Sequence, residues 1–213
     1  AEGDLEARIN TFELAYRMQT DAREAFDIAG EKPAIVAKYG ANAQGRQMLI
    51  ARRLLERGVR FLQVRQGGWD LHGGIAQRAK RNADQLDPAI GAIMDDLKER
   101  GLFEDTLIYI TSEFGRSPTE DGGGGRSHNA RGLSTVLMGG GIKGGTAYGS
   151  TDEVGGAAVE NKVHVKDIHA TVLNQLGFDH EQLTFATGGR DFRLTQPTRT
   201  LPQGGMPVKG IIA

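Results

Sequence analysis

The chain of 213 residues contains no cysteine, so disulfide frameworks, zinc fingers and thiol nucleophiles are ruled out. Proline is scarce at six, and three of the six lie beyond Arg193. Aromatics make up 6% of the residues, with a single Trp. An excess of either charge is also missing, with 26 Lys+Arg against 27 Asp+Glu and a formal net charge of -1. Without a basic block or stripe, there is no electrostatic footprint for tracking phosphates, and a nucleic-acid partner is not expected. No apolar run approaches the roughly 20 residues of a membrane span, and no charged-then-apolar export signal opens the chain. Residue 1 is Ala rather than Met, which fits a processing or cloning boundary.

Glycine is abundant. The 31 glycines amount to about twice the usual share and gather in loops, where sites are commonly built. Between them, apolar periodicity marks several helices. Leu5, Ile9, Phe12, Leu14, Tyr16 and Met18 recur at mostly three- and four-residue steps, predicting an amphipathic helix from Leu5 to Ala25. A second helix is expected over about Gln44–Glu56, stopped by Gly58. A third is expected over about Ile75–Arg100, burying Ala83, Leu86, Ile90, Ile93, Met94 and Leu97, with Pro88 as a kink or break. A fourth is expected over Lys166–Leu176, with Gly177 as its C-cap.

Three segments read as strands: Val59–Val64, Thr106–Thr111 and Leu133–Met138. The second is dense in β-branched and aromatic residues and is expected to be central and buried. Between the second and third lies an expected long loop, Ser112–Gly132, and the glycine groups at 139–141 and 144–145 suggest a hairpin toward Tyr148. Strand, long helix and strand in this order predict an α/β fold with a mostly parallel sheet flanked by helices and a glycine-rich hairpin. The expected organisation is one α/β domain over 1–195 followed by a C-terminal surface arm over 196–213.

In open parallel sheets, ligands bind beyond the carboxyl ends of strands. Asp70 and His72 follow the first expected strand and Glu113 and Arg116 the second, while His128 is delivered by the glycine-rich loop. Two carboxylates and two imidazoles suit a divalent cation such as zinc, manganese or iron. Arg116 and Arg126 could offer planar forks to phosphate or sulfate oxygens, which points to metal-assisted chemistry on an oxyanion ester. Structural roles stand beside these: an Asx-turn for Asp70, a loop cap for Glu113, and a core-edge seal for Trp69. Asp167 and His169 could form a second metal pair, but Asp at the start of a helix also favours its positive end. His164 and His180 have no partner nearby in sequence. No Gly-x-Ser-x-Gly elbow occurs.

Several motifs together resemble the bacterial family of domain of unknown function 1501, within the sulfatase-like branch of the alkaline phosphatase superfamily. They are Gly67-Gly68-Trp69-Asp70-Leu71-His72-Gly73, Ser112-Glu113-Phe114-Gly115-Arg116, Gly125-Arg126-Ser127-His128-Asn129, Val163–Thr171 and Gly189–Thr195. The resemblance implies an alkaline phosphatase-like fold and metal ligands among Asp70, His72, Glu113 and His128. It places Arg116 near the reacting anion, with Arg126 and Asn129 as anion-binding residues. The cofactor implied is one divalent cation, with zinc, manganese and calcium as candidates, and the substrate a small anionic ester or polysaccharide.

Thr111–Gly115 resembles the segment where active relatives place an adjacent Asp-His pair, each residue binding one of two metals. Glu113 keeps the carboxylate, while Phe114 stands where the histidine would be, which leaves the second metal without that ligand. Asp70 with His72 resembles an Asp/His metal pair at closer spacing, and the Asp167 segment resembles a closing helix in which the Asp is structural. The resemblance also implies export from a bacterial cytoplasm, and a nucleophile in a part preceding residue 1. This chain would then be a fragment, a trimmed product or a member lacking the nucleophile. A noncatalytic binding or assembly scaffold of the bacterial envelope is the alternative from another functional class.

Overall fold

The computed structural model describes residues 2–213, and the side chains of all of these except residues 2–4, 14 and 17–22. The chain divides into two compact units, Ala1–Arg100 and Gly101–Ala213.

The first unit is helical: α1 spans Glu2–Phe26, α2 Pro33–Tyr39, α3 Ala43–Glu56 and α4 Ile75–Glu99. The four expected helices of the whole chain all form, and the short α2 was not anticipated. Pro33 opens α2, where its missing N–H costs nothing. Asn42 caps α3, its Oδ1 accepting from Gly45 N at 3.0 Å. Gly45 itself lies under the preceding turn, since a Cβ there would stand 2.1 Å from Gly40 O. Helices α2, α3 and α4 pack on one another.

The buried face of α4 carries Ala89, Ala92, Ile93, Asp96 and Leu97. This i, i+3, i+4, i+7, i+8 stripe is rotated slightly from the expected one, leaving Leu86, Ile90 and Met94 half-buried. Pro88 sits on an exposed position and the helix runs through it. In α1, Ala25 is buried, whereas Leu5, Ile9, Phe12 and Tyr16 are exposed. The expected stripe residues Leu14 and Met18 have side chains outside the described residues.

A buried charge network holds this unit. Tyr39 Oη donates to Asp96 Oδ2 at 3.0 Å, and Arg52 Nε lies 3.6 Å from the same oxygen. Arg52 also meets Glu31 at 2.9 Å and Glu56 at 2.8 Å. Burial and the Asp96 carboxylate together hold the Tyr39 hydroxyl protonated far above the ordinary tyrosine range.

The second unit overturns the expected sheet. Every strand pairing among the described residues is antiparallel and two-stranded. The pairs are β1 (Ile108–Ile110) with β4 (Val136–Met138), β2 (Gly115–Asp121) with β3 (Gly125–Asn129), β5 (Ser150–Thr151) with β6 (Ala158–Glu160), and β7 (Phe185–Thr187) with β8 (Arg190–Phe192). The mostly parallel, alkaline phosphatase-like α/β sheet flanked by helices is therefore not the fold of this chain.

The reason lies in pairing. Residues 59–64 alternate partly in exposure, as a strand would, but form no ladder among the described residues, and Phe61 is exposed. Thr106–Thr111 contributes only three residues, half-buried rather than central, in register Ile108↔Met138 and Ile110↔Val136. β-propensity marks residues that suit a pleated surface, while partner and direction are decided by tertiary context. The expected Ser112–Gly132 loop is instead a hairpin whose turn holds Gly123 and Gly124 at φ 72° and 75°, conformations that favour glycine. No hairpin forms over 139–149; Ile142 bridges Ile212 instead.

Helix α5 (Val165–Gln175) buries Ile168, Ala170 and Thr171. Residues 196–213 include buried Leu201, Val208 and Ile211, and a 3-10 turn at Lys209–Ile211. Backbone bonds from Gly205 N to Thr195 O (2.8 Å), Lys143 N to Ile211 O (2.9 Å) and Ala213 N to Gly141 O (2.8 Å) tie this segment down. No helix among the described residues is long and apolar enough to cross a membrane.

Candidate metal-binding residues

Asp70 and His72 lie on the irregular segment between α3 and α4. Only Leu71 separates the two in sequence, and it is buried at 2% exposure while its neighbours are exposed. His72 Nε2 stands 3.0 Å from Asp70 Oδ1, and both side chains are exposed. Leu71 anchors the segment from beneath, and polar bonds fix its approach. Asn82 of α4 donates from Nδ2 to Gly68 O at 2.7 Å and accepts at its backbone O from Gln66 Nε2 at 3.0 Å. Gln66 Oε1 in turn accepts from Trp69 Nε1 at 3.0 Å. Gly68 has φ 87°, a left-handed conformation at the point where Asn82 bonds its carbonyl.

Trp69 is therefore a hydrogen-bonded, partly exposed residue of this loop. Gln66 and Asn82 were not foreseen as positioning residues. Asn82 had a readable signal, since it falls on the buried stripe of α4, where an unsatisfied amide is costly.

The remaining candidates belong to the second unit. Glu113 is exposed between β1 and β2. In the β2–β3 register Arg116 lies opposite His128, so Phe114, Arg116 and His128 share one face. The Phe114 and His128 rings pack in a tilted arrangement with centroids 4.1 Å apart at 33°, and the Arg116 guanidinium carbon lies 5.4 Å from the Phe114 centroid. Phe114 thus packs against the imidazole of His128. Arg116 Nη1 donates to Arg126 O at 3.3 Å and Arg126 Nη1 to Gly125 O at 2.8 Å. Asn129 uses its amide inside the unit, donating to Gly156 O at 2.9 Å and accepting from Arg131 N at 3.0 Å.

Asp167 takes the structural role. Its Oδ2 accepts from His164 N at 2.7 Å and its Oδ1 from Met206 N at 2.9 Å, while His164 Nδ1 accepts from Lys166 N at 3.1 Å. His169 titrates below the ordinary imidazole range because burial, then the charges of His164 and Lys166, disfavour its protonated form. His180 Nδ1 is hydrogen-bonded to Thr195 Oγ1 at 3.0 Å.

The model of one family, described as a protein of unknown function (DUF1501), matches residues 1–204. The chain belongs to the DUF1501 family. No curated protein and no solved structure matches it. The DUF1501 match spans both units, so it includes the Asp70–His72 segment, the β2–β3 hairpin and α5.

Proposed function

We propose that this DUF1501 chain binds one divalent cation through Asp70 and His72, and that the chemistry it supports is directed at sulfate or phosphate esters. The observation that carries the reading is the 3.0 Å separation of His72 Nε2 and Asp70 Oδ1. Two donors held at roughly 2.0–2.2 Å by a tetrahedral cation stand about 3.3–3.6 Å apart, so this pair needs to open only slightly to share an ion. One carboxylate and one imidazole suit zinc or manganese; calcium would rely on the carboxylate and further oxygens. Glu113 and His128 are the donors that the second unit offers to the same chemistry, a reading supported by donor type and by the motif resemblance. Arg116, with Arg126 and Asn129, is the proposed anion-recognising group, supported by guanidinium geometry that matches sulfate or phosphate oxygens. Acting on such an ester, the cation would stabilise charge on the non-bridging oxygens.

Elemental analysis of the purified chain, paired with calorimetric titration of zinc, manganese and calcium, tests cation binding. Near-stoichiometric binding that weakens by at least about tenfold in Asp70→Asn and in His72→Ala is the expected result. A chain that takes up none of the three, or whose binding is unchanged in both variants, overturns it. Parallel His128→Ala and Glu113→Gln titrations decide whether these donors contribute. Hydrolysis of aryl sulfates and aryl phosphates by the loaded protein, reduced in Arg116→Gln, tests the ester reading.

A second reading is favoured by the antiparallel two-stranded sheets: without a parallel sheet edge among the described residues, the chain would serve as a noncatalytic binding or assembly scaffold. Full cation binding with no turnover of either ester class is its expected signature.

A further inference from the structure

The N-terminal helix presents an apolar seam that its own unit does not cover. Leu5, Ile9, Phe12 and Tyr16 are 59%, 49%, 75% and 69% exposed. Such a cluster of large side chains on one helix face marks an interaction surface. The C-terminal end of the helix is fixed: Ala25 is buried, and Arg53 of α3 donates from Nε to Ala25 O at 3.0 Å and from Nη2 to Glu24 O at 2.6 Å. The seam therefore stands on an anchored helix.

Its steps alternate 4, 3 and 4 residues, the alternation of a heptad's a and d positions, which keeps one stripe facing a second helix. With Leu5 and Phe12 at d, Ile9 and Tyr16 fall at a. A β-branched Ile at a beside Leu at d favours two parallel strands. The flanks carry the same preference. Arg8 is at g and Glu13 at the e position of the next heptad, the two positions that meet across a parallel, in-register pair. Two-fold symmetry makes that contact twice. An antiparallel pair would instead bring e against e, Glu6 facing Glu13, and lose it. The next seam positions are Gln19 and Arg23, so the apolar contact ends after Tyr16.

We propose that a second copy of this chain covers the face, through a parallel, two-stranded pairing of α1 over residues 5–16, with Arg8 of each copy against Glu13 of the other. Two heptads make a short seam, so the dimer is reversible and depends on concentration.

Sedimentation equilibrium of the full chain over a concentration series tests the pairing, with circular dichroism to check that each variant keeps its helix content. The expected result is a monomer–dimer equilibrium in the parent, weakened by more than about tenfold in Ile9→Lys. Arg8→Glu alone weakens it by about threefold to tenfold, and the double variant R8E/E13R recovers most of the parent's association. Because the chain has no cysteine, Leu5→Cys reports direction. It oxidises to a linked dimer if the helices are parallel, whereas in an antiparallel pair the two thiols stand about 16 Å apart along the axis. A parent that stays monomeric throughout, or a dimer indifferent to Ile9→Lys, overturns the proposal. So does a charge swap that fails to recover association, or a Leu5→Cys dimer that does not cross-link.

Discussion

Tyr39 and Asp96 form a fully buried polar contact in the helical unit: the phenolic oxygen donates to the carboxylate at 3.0 Å, and both residues are fully inaccessible to solvent. The contact joins α2 to α4 across the face where Arg52 of α3 also arrives, so one carboxylate organises three helices. Tyr39→Phe keeps the ring and removes one hydrogen bond to a buried charge, and is expected to cost about 1–3 kcal/mol. Asp96→Ala leaves Arg52 buried beside an absent carboxylate and is expected to cost more, about 3–5 kcal/mol. Urea unfolding of both variants checks the magnitudes, and equal stabilities would show that the network contributes nothing.

Glu31 gives this unit an acid-sensitive contact. Burial alone would raise its carboxyl pKa, but hydrogen bonds and charges from Arg53 and Arg52 outweigh it and hold the group below the ordinary value of 4.5. In the window between the lowered native value and the unfolded one, the unfolded chain binds more protons. The stabilisation is therefore present above the unfolded value and lost as pH falls through the native one. Thermal melts between about pH 6 and pH 3 should show the gap between the parent and Glu31→Gln narrowing as the solution is acidified. A gap that stays constant across that range contradicts the assignment.

Asp167 stabilises two pieces of backbone at once, the start of α5 at His164 N and the C-terminal segment at Met206 N. Loss of a helix-capping side chain costs about 1 kcal/mol, and Asp167→Ala also removes the acceptor of the Met206 amide. The variant should lose about 1–3 kcal/mol and increase amide exchange at both His164 and Met206. Faster exchange at His164 alone would show that the C-terminal segment does not depend on this residue.

The β2–β3 hairpin requires glycine at 115, where an added Cβ would lie 1.6 Å from Gly132 O and 3.2 Å from Asn129 O. Gly115→Ala must therefore shift backbone, a neighbour that cannot swing aside as a flexible side chain would. The expected outcome is a loss of at least about 1–3 kcal/mol, together with altered ring-current shifts at His128, whose ring packs against neighbouring Phe114. An unchanged melt and an unchanged His128 spectrum would exclude the close approach.

What could be read from the sequence alone was local. The four longer helices follow from apolar spacing and cap residues within one segment, because a helix bonds only to itself. Asp70 and His72 lie close for a local reason too, since only one residue separates them in sequence. The structural role of Asp167 could be anticipated from its place at a helix start, though not its second bond to Met206 N. Strands need partners from elsewhere in the chain, and neither their direction nor their register is written in propensity. Thr106–Thr111 could be marked as β-prone, but pairing decided that Ile108–Ile110 runs antiparallel to Val136–Met138, and that the glycine-rich stretch thought to be a loop closes a hairpin. That register, not composition, sets His128 opposite Arg116 and brings it against Phe114. Residues far apart in sequence meet only when tertiary packing repays the entropy of closing the loop between them.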